Sequence, residues 1–192
     1  MRVTGGQWAN RTISVPPGLG VRPTPDKVRQ AIFNSLGEWI ADRTVLELFA
    51  GSGALSLECL SRGATSALCV EQSAKHASYI KRNAGELDAQ LDIRVQDAMK
   101  SVKQLATSVR QFDFILADPP YGEKTSQGKR SESWAQQLID DDVLPGILVS
   151  GGLLLVGHAK RDEVELSAHW HERKTLKHGD TWIRLLEHSS IV

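Results

Sequence analysis

The chain has 192 residues, 41% of them hydrophobic and 24% charged, with no net charge. That length suits one domain able to bury roughly 70% of its unfolded surface without disulfides or metals. No apolar run approaches the ~20 residues that span a bilayer, and the charge balance argues against a protein that holds nucleic acid by overall charge. The opening residues, Met1 to Gly6, contain no apolar signal core, so a reducing, cytoplasmic setting is expected. Cys59 and Cys69 lack metal or redox spacing and read as small buried apolar groups.

In chain order, Val3-Thr4 and Thr12 to Val15 are short β-prone runs separated by glycines and Asn10, which predicts a small hairpin. Pro16 to Gly20 is a loop. Thr24-Pro25-Asp26 is a helix start, with Thr24 as cap, Pro25 in the first turn and an acid facing the helix dipole. Val28, Ala31, Ile32, Leu36 and Trp39 then form an apolar stripe, with Arg29 and Phe33 beside it. Charge is concentrated here: Arg2, Arg11, Arg22, Lys27 and Arg29 stand against the single acid Asp26 before residue 30. Such a basic patch is the footprint of a phosphate-binding surface, although a solvated face has the same composition.

From Thr44 the pattern becomes regular. Val45, Leu46 and Leu48 form a buried strand, Gly51 and Gly53 break it, and Ala54 to Leu60 resumes with helical spacing. This is the first βα unit of a nucleotide-binding sheet, whose glycine turn lets a ligand approach the backbone. The glycine pair with Ser56 also half-fits a dinucleotide fingerprint. Further strands are predicted at 66–70, 91–95, 112–117 and 152–157. A helix capped by Ser73 and running to about Asn83 is predicted, then helices from Met99 to Ala106 and over 134–148 with a break at Pro145. Residues 122–131 form a polar loop. Trp170 to Leu176 and Thr181 to Leu186 pair as an antiparallel hairpin around His178-Gly179-Asp180. Alternating strands and helices predict a mostly parallel sheet with right-handed crossovers. Glu47, Glu71, Asp97 and Asp118 all fall near the carboxyl ends of strands, so four acids line one sheet edge. His169 and His171 have no third ligand nearby, and no metal site is expected.

Asp118-Pro119-Pro120-Tyr121 carries the chemistry. Proline fixes φ and restricts the residue before it, so a side-chain acceptor and the Pro119 carbonyl are held in place beside an aromatic face. Two fixed acceptors next to a flat ring suit the exocyclic amine of a stacked base. A tight Pro-Pro turn with Tyr121 in the core is the plain structural alternative.

These motifs resemble the class I S-adenosylmethionine-dependent methyltransferases, and specifically the bacterial 16S ribosomal RNA guanine-N2 methyltransferase family. The resemblance rests on Thr4-Gly5-Gly6-Gln7-Trp8, Arg22-Pro23-Thr24, Asp26 to Arg29, Phe33-Asn34, Phe49-Ala50-Gly51-Ser52-Gly53, Asp118 to Tyr121 and Lys177 to Thr181. The chain departs from that family in a longer loop after Tyr121. The resemblance implies a Rossmann-like fold, with a mostly parallel seven-stranded sheet, an antiparallel C-terminal hairpin and a small N-terminal β-hairpin plus helix. It also implies one methyltransferase domain over 1–192, in which 1–40 is an RNA-contacting extension.

For the site, the resemblance implies that Glu47, Phe49, Gly51, Ser52, Gly53, Glu71, Gln72, Asp97 and Ala98 hold S-adenosylmethionine. Glu47 would lie near its ammonium, Glu71 would accept both ribose hydroxyls and Asp97 would take the adenine amine. Asp118, Pro119, Pro120 and Tyr121 would bind and orient the target base. The cations Arg2, Arg11, Arg22, Lys27, Arg29, Lys124, Lys129 and Arg130 would contact phosphates. The expected partner is ribosomal RNA or the small ribosomal subunit, met by a monomer that needs neither membrane nor metal. Asp-Pro-Pro-Tyr is shared with other amino-methyltransferases. Methylation of DNA, at adenine N6 or cytosine N4, or of a protein glutamine is therefore the alternative activity.

Overall fold

The structure is a computed structural model that describes residues 1–17, 24–121 and 133–189. Its centre is a seven-stranded sheet. The first four strands are β1 (Thr44–Leu48), β2 (Ser66–Glu71), β3 (Asp92–Val95) and β4 (Phe112–Ala117); β5 (Leu148–Ala159), β6 (Trp170–His178) and β7 (Thr181–His188) complete it. The order across the sheet is β3-β2-β1-β4-β5-β7-β6. Strands β1 to β5 run parallel, and β7 is antiparallel to both β5 and β6. The predicted mostly parallel sheet with an antiparallel C-terminal hairpin is therefore the observed one.

Among the described residues, α1 (Asp26–Leu36) precedes β1, and α2 (Ala54–Ser61), α3 (Ala74–Leu87), α4 (Ala98–Thr107) and α5 (Trp134–Ile139) lie between successive strands. Alternate strand residues face opposite sides, so Val45, Phe114 and Leu155 pack under α1, α2 and α3, while Leu46, Ile115 and Leu154 pack under α4 and α5. Helix α2 is buried along its whole length. Ser73 caps α3 by accepting the His76 N–H, as its position before that helix predicted.

Several expectations need correction. Gly37, at φ 57°, ends α1, and Trp39 lies in a 3₁₀ turn (Gly37–Ile40) with its ring edge-on to Phe114 at 5.6 Å. Pro25 occupies the N-cap of α1 and Thr24 makes no capping bond. The helical stretch expected over 134–148 divides into α5 and a separate 3₁₀ turn (Leu144–Ile147) opened by Pro145. Strand β5 is longer than expected because the register with β4 shifts between Phe112 and Phe114, which lets pairing resume beyond the irregularity.

The expected N-terminal hairpin is present but short: Arg2 pairs antiparallel with Thr12, flanked by Val3 N–H donating to the Arg11 carbonyl at 2.9 Å and Ile13 N–H to the Met1 carbonyl at 2.8 Å. Its turn docks on the end of α2, where Gln7 N–H donates to the Ser61 carbonyl at 2.8 Å and Trp8 N–H to Ser61 Oγ at 2.9 Å. These contacts satisfy acceptors that a helix end leaves unpaired. A Cβ on Gly6 (φ +76°) would overlap the Ser61 backbone, so this turn requires glycine twice over. Thr4 donates its N–H and its hydroxyl to the buried Glu58 carboxylate, at 2.8 and 2.7 Å. The Thr4-Gly5-Gly6-Gln7-Trp8 motif thus fastens the extension to helix α2.

Candidate active site

The carboxyl ends of β1 to β4 open into a crevice of about 690 Å³, a volume suited to a cofactor or small ligand. Glu47, Glu71, Asp97 and Asp118 all line it, so the four strand-end acids do share one edge. Each is set differently by its element. Glu71, the last residue of β2, accepts from Gly51 N–H through Oε2 and from Ser73 N–H through Oε1, both at 2.8 Å. Its carboxylate is therefore aimed by two backbone donors, and each oxygen keeps a second lone pair for a ligand hydroxyl. His76 Nδ1 lies 3.6 Å from Oε1.

Glu47 is buried beneath the turn, where its Oε2 accepts from Ser56 N–H at 2.8 Å. Desolvation pushes its pKa up to about 7, against the lowering effect of its Ser56 bonds. Asp97 caps α4 by accepting the Lys100 N–H at 2.9 Å. The turn between Glu47 and α2 is tightly wound. Phe49 has φ 57° and Gly51 φ 55°, and an aromatic residue in the left-handed region is a strained conformation that clusters at functional sites. A Cβ on Gly51 would meet no atom closer than 4.0 Å, whereas one on Gly53 would come within 2.9 Å of Ile80. Gly53 is absent from the crevice wall and serves the packing of α2 on α3. Gly51 and Ser52 do line the crevice.

Asp118 follows β4 directly, and the Thr24 hydroxyl donates to its Oδ2 at 2.5 Å. Gly157 on β5 lies against the other oxygen, and a Cβ there would overlap Oδ1. Tyr121 reaches across to β7, with its hydroxyl 2.6 Å from Thr181 Oγ1. Pro119 and Pro120 also line the crevice. Trp134, at the start of α5, forms a further part of the wall, its ring 5.8 Å from that of Phe49. Thr24, Thr181 and Trp134 were not singled out as site residues from sequence. The only available signal was that Thr24 and Thr181 fall in motifs quoted for the family resemblance.

The expected phosphate contacts divide. Arg2, Arg11 and Lys27 are exposed, while Arg22, Lys124, Lys129 and Arg130 lie outside the described residues. Arg29 is a correction: it is fully buried and cannot reach a phosphate. Its guanidinium donates to the Thr24 carbonyl at 3.0 Å, to Asp26 at 3.0 Å and to the Arg2 carbonyl, and lies 3.9 Å from Glu58. An arginine in a basic stretch reads as a surface residue, but here Asp26 and two backbone carbonyls, with Glu58 nearby, give the buried guanidinium its acceptors. His169 pairs with Asp142 at 3.1 Å. Among the described residues, no group of three or more His, Cys, Asp and Glu side chains could hold a metal ion, and no helix is long and apolar enough to cross a membrane.

This sheet order, with its reversed last hairpin and a ligand-sized crevice over a glycine turn, defines the class: a class I S-adenosylmethionine-dependent methyltransferase fold. The chain belongs to the family described as "Conserved hypothetical protein 95", whose model matches residues 1–187. It is 38% identical over 121 residues to "Ribosomal RNA small subunit methyltransferase D" of Escherichia coli K12, covering 63% of this chain and 60% of that relative's length. With "Putative rRNA methyltransferase YlbH" of Bacillus subtilis it shares 33% identity over 144 residues, covering 74% of this chain and 78% of the other. The solved structure described as "Putative methyltransferase yhhF from Escherichia coli" superposes with a TM-score of 0.78 at 29% identity, covering 99% of this chain and 98% of that one.

Proposed function

We propose that the protein transfers a methyl group from S-adenosylmethionine to the exocyclic N2 amine of a guanine in small-subunit ribosomal RNA. The observation that carries this reading is the shared crevice. The Asp-Pro-Pro-Tyr turn after β4 opens into the same space as the Gly51 turn and Glu71. The amine-binding motif and the nucleoside-binding motif therefore face one another. The names borne by the relatives support ribosomal RNA as the substrate class.

The residues present fit the cofactor. The space above Gly51 lets a ligand lie on the backbone, and Glu71 has its carboxylate aimed for a vicinal diol. Asp97 can accept from an amine, and Glu47 offers a buried carboxyl to an ammonium. When bound, the cofactor supplies an electrophilic methyl group on a sulfonium.

The rest of the chemistry belongs to the protein. A guanine N2 lone pair is delocalised into its ring, so the amine is a poor nucleophile until it is pyramidalised and aimed. Asp118 and the Pro119 carbonyl accept its two N–H bonds and do both, while Tyr121 offers a face on which the base stacks. Positioning and fixed dipoles supply the rate enhancement. The amine proton leaves to Asp118 or to water after attack. Because the base must enter a crevice, an accessible loop guanine is a cheaper target than a paired one. Arg2, Arg11 and Lys27, with the loop cations, would hold the flanking phosphates.

Incubation with labelled S-adenosylmethionine and separate samples of ribosomal RNA, small subunits, DNA and protein tests the reading. Label is expected in RNA or small subunits. Label in DNA or protein alone would replace this activity with the alternative amino-methyltransferase.

A further inference from the structure

We infer that Thr24 is a positioning residue for Asp118, and that Gly157 provides the room the carboxylate needs to take that position. The inference rests on the proposed role of Asp118 as acceptor for the target amine. A carboxylate at the end of a strand can rotate about χ2, and only some orientations point a lone pair into the crevice. Here one oxygen is held by the Thr24 hydroxyl at 2.5 Å and the other lies over Gly157, where any Cβ would overlap it. The two constraints act on different oxygens and come from separate elements, the segment before α1 and β5. Together they fix the plane of the carboxylate before a base arrives.

Thr24 is itself fixed. Its residue is buried, and its carbonyl accepts from Arg29 at 3.0 Å. Arg29 in turn is held by Asp26 and by the Arg2 carbonyl, and it sits near Glu58 of α2. A buried guanidinium bound to several acceptors is costly to move, so the hydroxyl it supports is pre-organised. The N-terminal segment therefore contributes a group to the amine-binding site, in addition to any surface it offers to RNA. Its basic composition hides this, because the working atom is a neutral hydroxyl. A hydrogen bond to a charged group that is lost from the transition state slows turnover by about 10–100-fold.

The test measures single-turnover methyl transfer to small ribosomal subunits with saturating cofactor, for wild type, Thr24→Ser, Thr24→Val, Gly157→Ala and Asp118→Ala. Affinity for S-adenosylhomocysteine by calorimetry and the thermal midpoint are measured alongside. Thr24→Val is expected to lose about 10–100-fold in rate, Thr24→Ser to retain most of it, and Gly157→Ala to fall near Asp118→Ala, all with wild-type cofactor affinity. The inference is overturned if Thr24→Val turns over like wild type, if the serine variant is as slow as the valine variant, or if rate falls only in step with cofactor affinity and thermal midpoint. A wild type that methylates no RNA would sink the proposed function itself. An active wild type with an inactive Asp118→Ala and a fast Thr24→Val would sink this inference alone.

Discussion

The backbone N–H of Gly51 donates to Glu71 Oε2 at 2.8 Å, which joins the glycine turn after β1 to the acid that ends β2. The turn and the acid, twenty residues apart in the chain, thereby act as one unit. Glu71→Ala removes the brace for the turn and, on the proposed function, the acceptor for the cofactor's ribose. Each charged hydrogen bond is worth roughly 1.5–3 kcal/mol, so calorimetry with S-adenosylhomocysteine is expected to show a loss of at least that size. An unchanged affinity would remove Glu71 from the cofactor site.

The raised pKa of Glu47 is expected to make stability pH-dependent, and, with Glu47 beside the cofactor ammonium as proposed, ligand binding too. Its pKa is raised from 4.5 to about 7 in the folded protein, chiefly by desolvation. Between those values the folded state binds a proton that the unfolded state has released. Stability from this group is thus full below about pH 4.5 and falls as pH rises to about 7. Glu47→Gln should flatten that part of the profile in ligand-free denaturant titrations and stabilise the protein at pH 8. An ammonium arriving beside Glu47 favours its ionised form, so S-adenosylhomocysteine binding near pH 6 should release a proton. Calorimetry in buffers of different ionisation enthalpy reads this directly, and proton uptake would contradict the placement.

The bond between Tyr121 and Thr181 separates two roles of the tyrosine. Tyr121→Phe keeps the ring and loses the 2.6 Å contact, so turnover should fall by about 1 kcal/mol equivalent. Tyr121→Ala also loses the stacking face, worth roughly 1–3 kcal/mol more. Equal rates for the two variants would show that the ring contributes nothing.

Arg29 and its exposed neighbours should behave oppositely. Neutralising Arg11 and Lys27 together is expected to lower the salt slope of RNA binding by about one to two units with little change in stability. Arg29→Met should leave the slope unchanged and destabilise, because the Thr24 and Arg2 carbonyls and Asp26 lose their buried donor, while Glu58 keeps Arg62 at 2.9 Å. Denaturant titration and salt-dependent binding of the two variants check both halves.

The contrast with Arg29 also shows where sequence reasoning stopped. Strand and helix alternation was legible because β1, β2, β4 and the middle of β5 are short apolar runs, with Glu71 closing β2 and Asp118 following β4. For the same reason Glu47, Glu71, Asp97 and Asp118 could be assigned to one edge before any coordinates. Thr24 could not be assigned, since a threonine before Pro25 has an adequate local explanation as a cap and its partner lies 94 residues away. Trp134 and Thr181 are likewise brought in by tertiary packing alone. Gly53 looked like a ligand glycine, yet its constraint comes from Ile80 on α3, which no spacing within the turn reveals.

The chemical identity of the product decides whether the protein methylates the guanine N2 amine. Small subunits methylated by the wild-type protein with labelled S-adenosylmethionine are digested to nucleosides and separated by mass and retention, alongside a reaction with Asp118→Ala. Label is expected in N2-methylguanosine, lost by on the order of 100-fold or more in the Asp118→Ala reaction. Label in any other nucleoside, or full yield from Asp118→Ala, would contradict it.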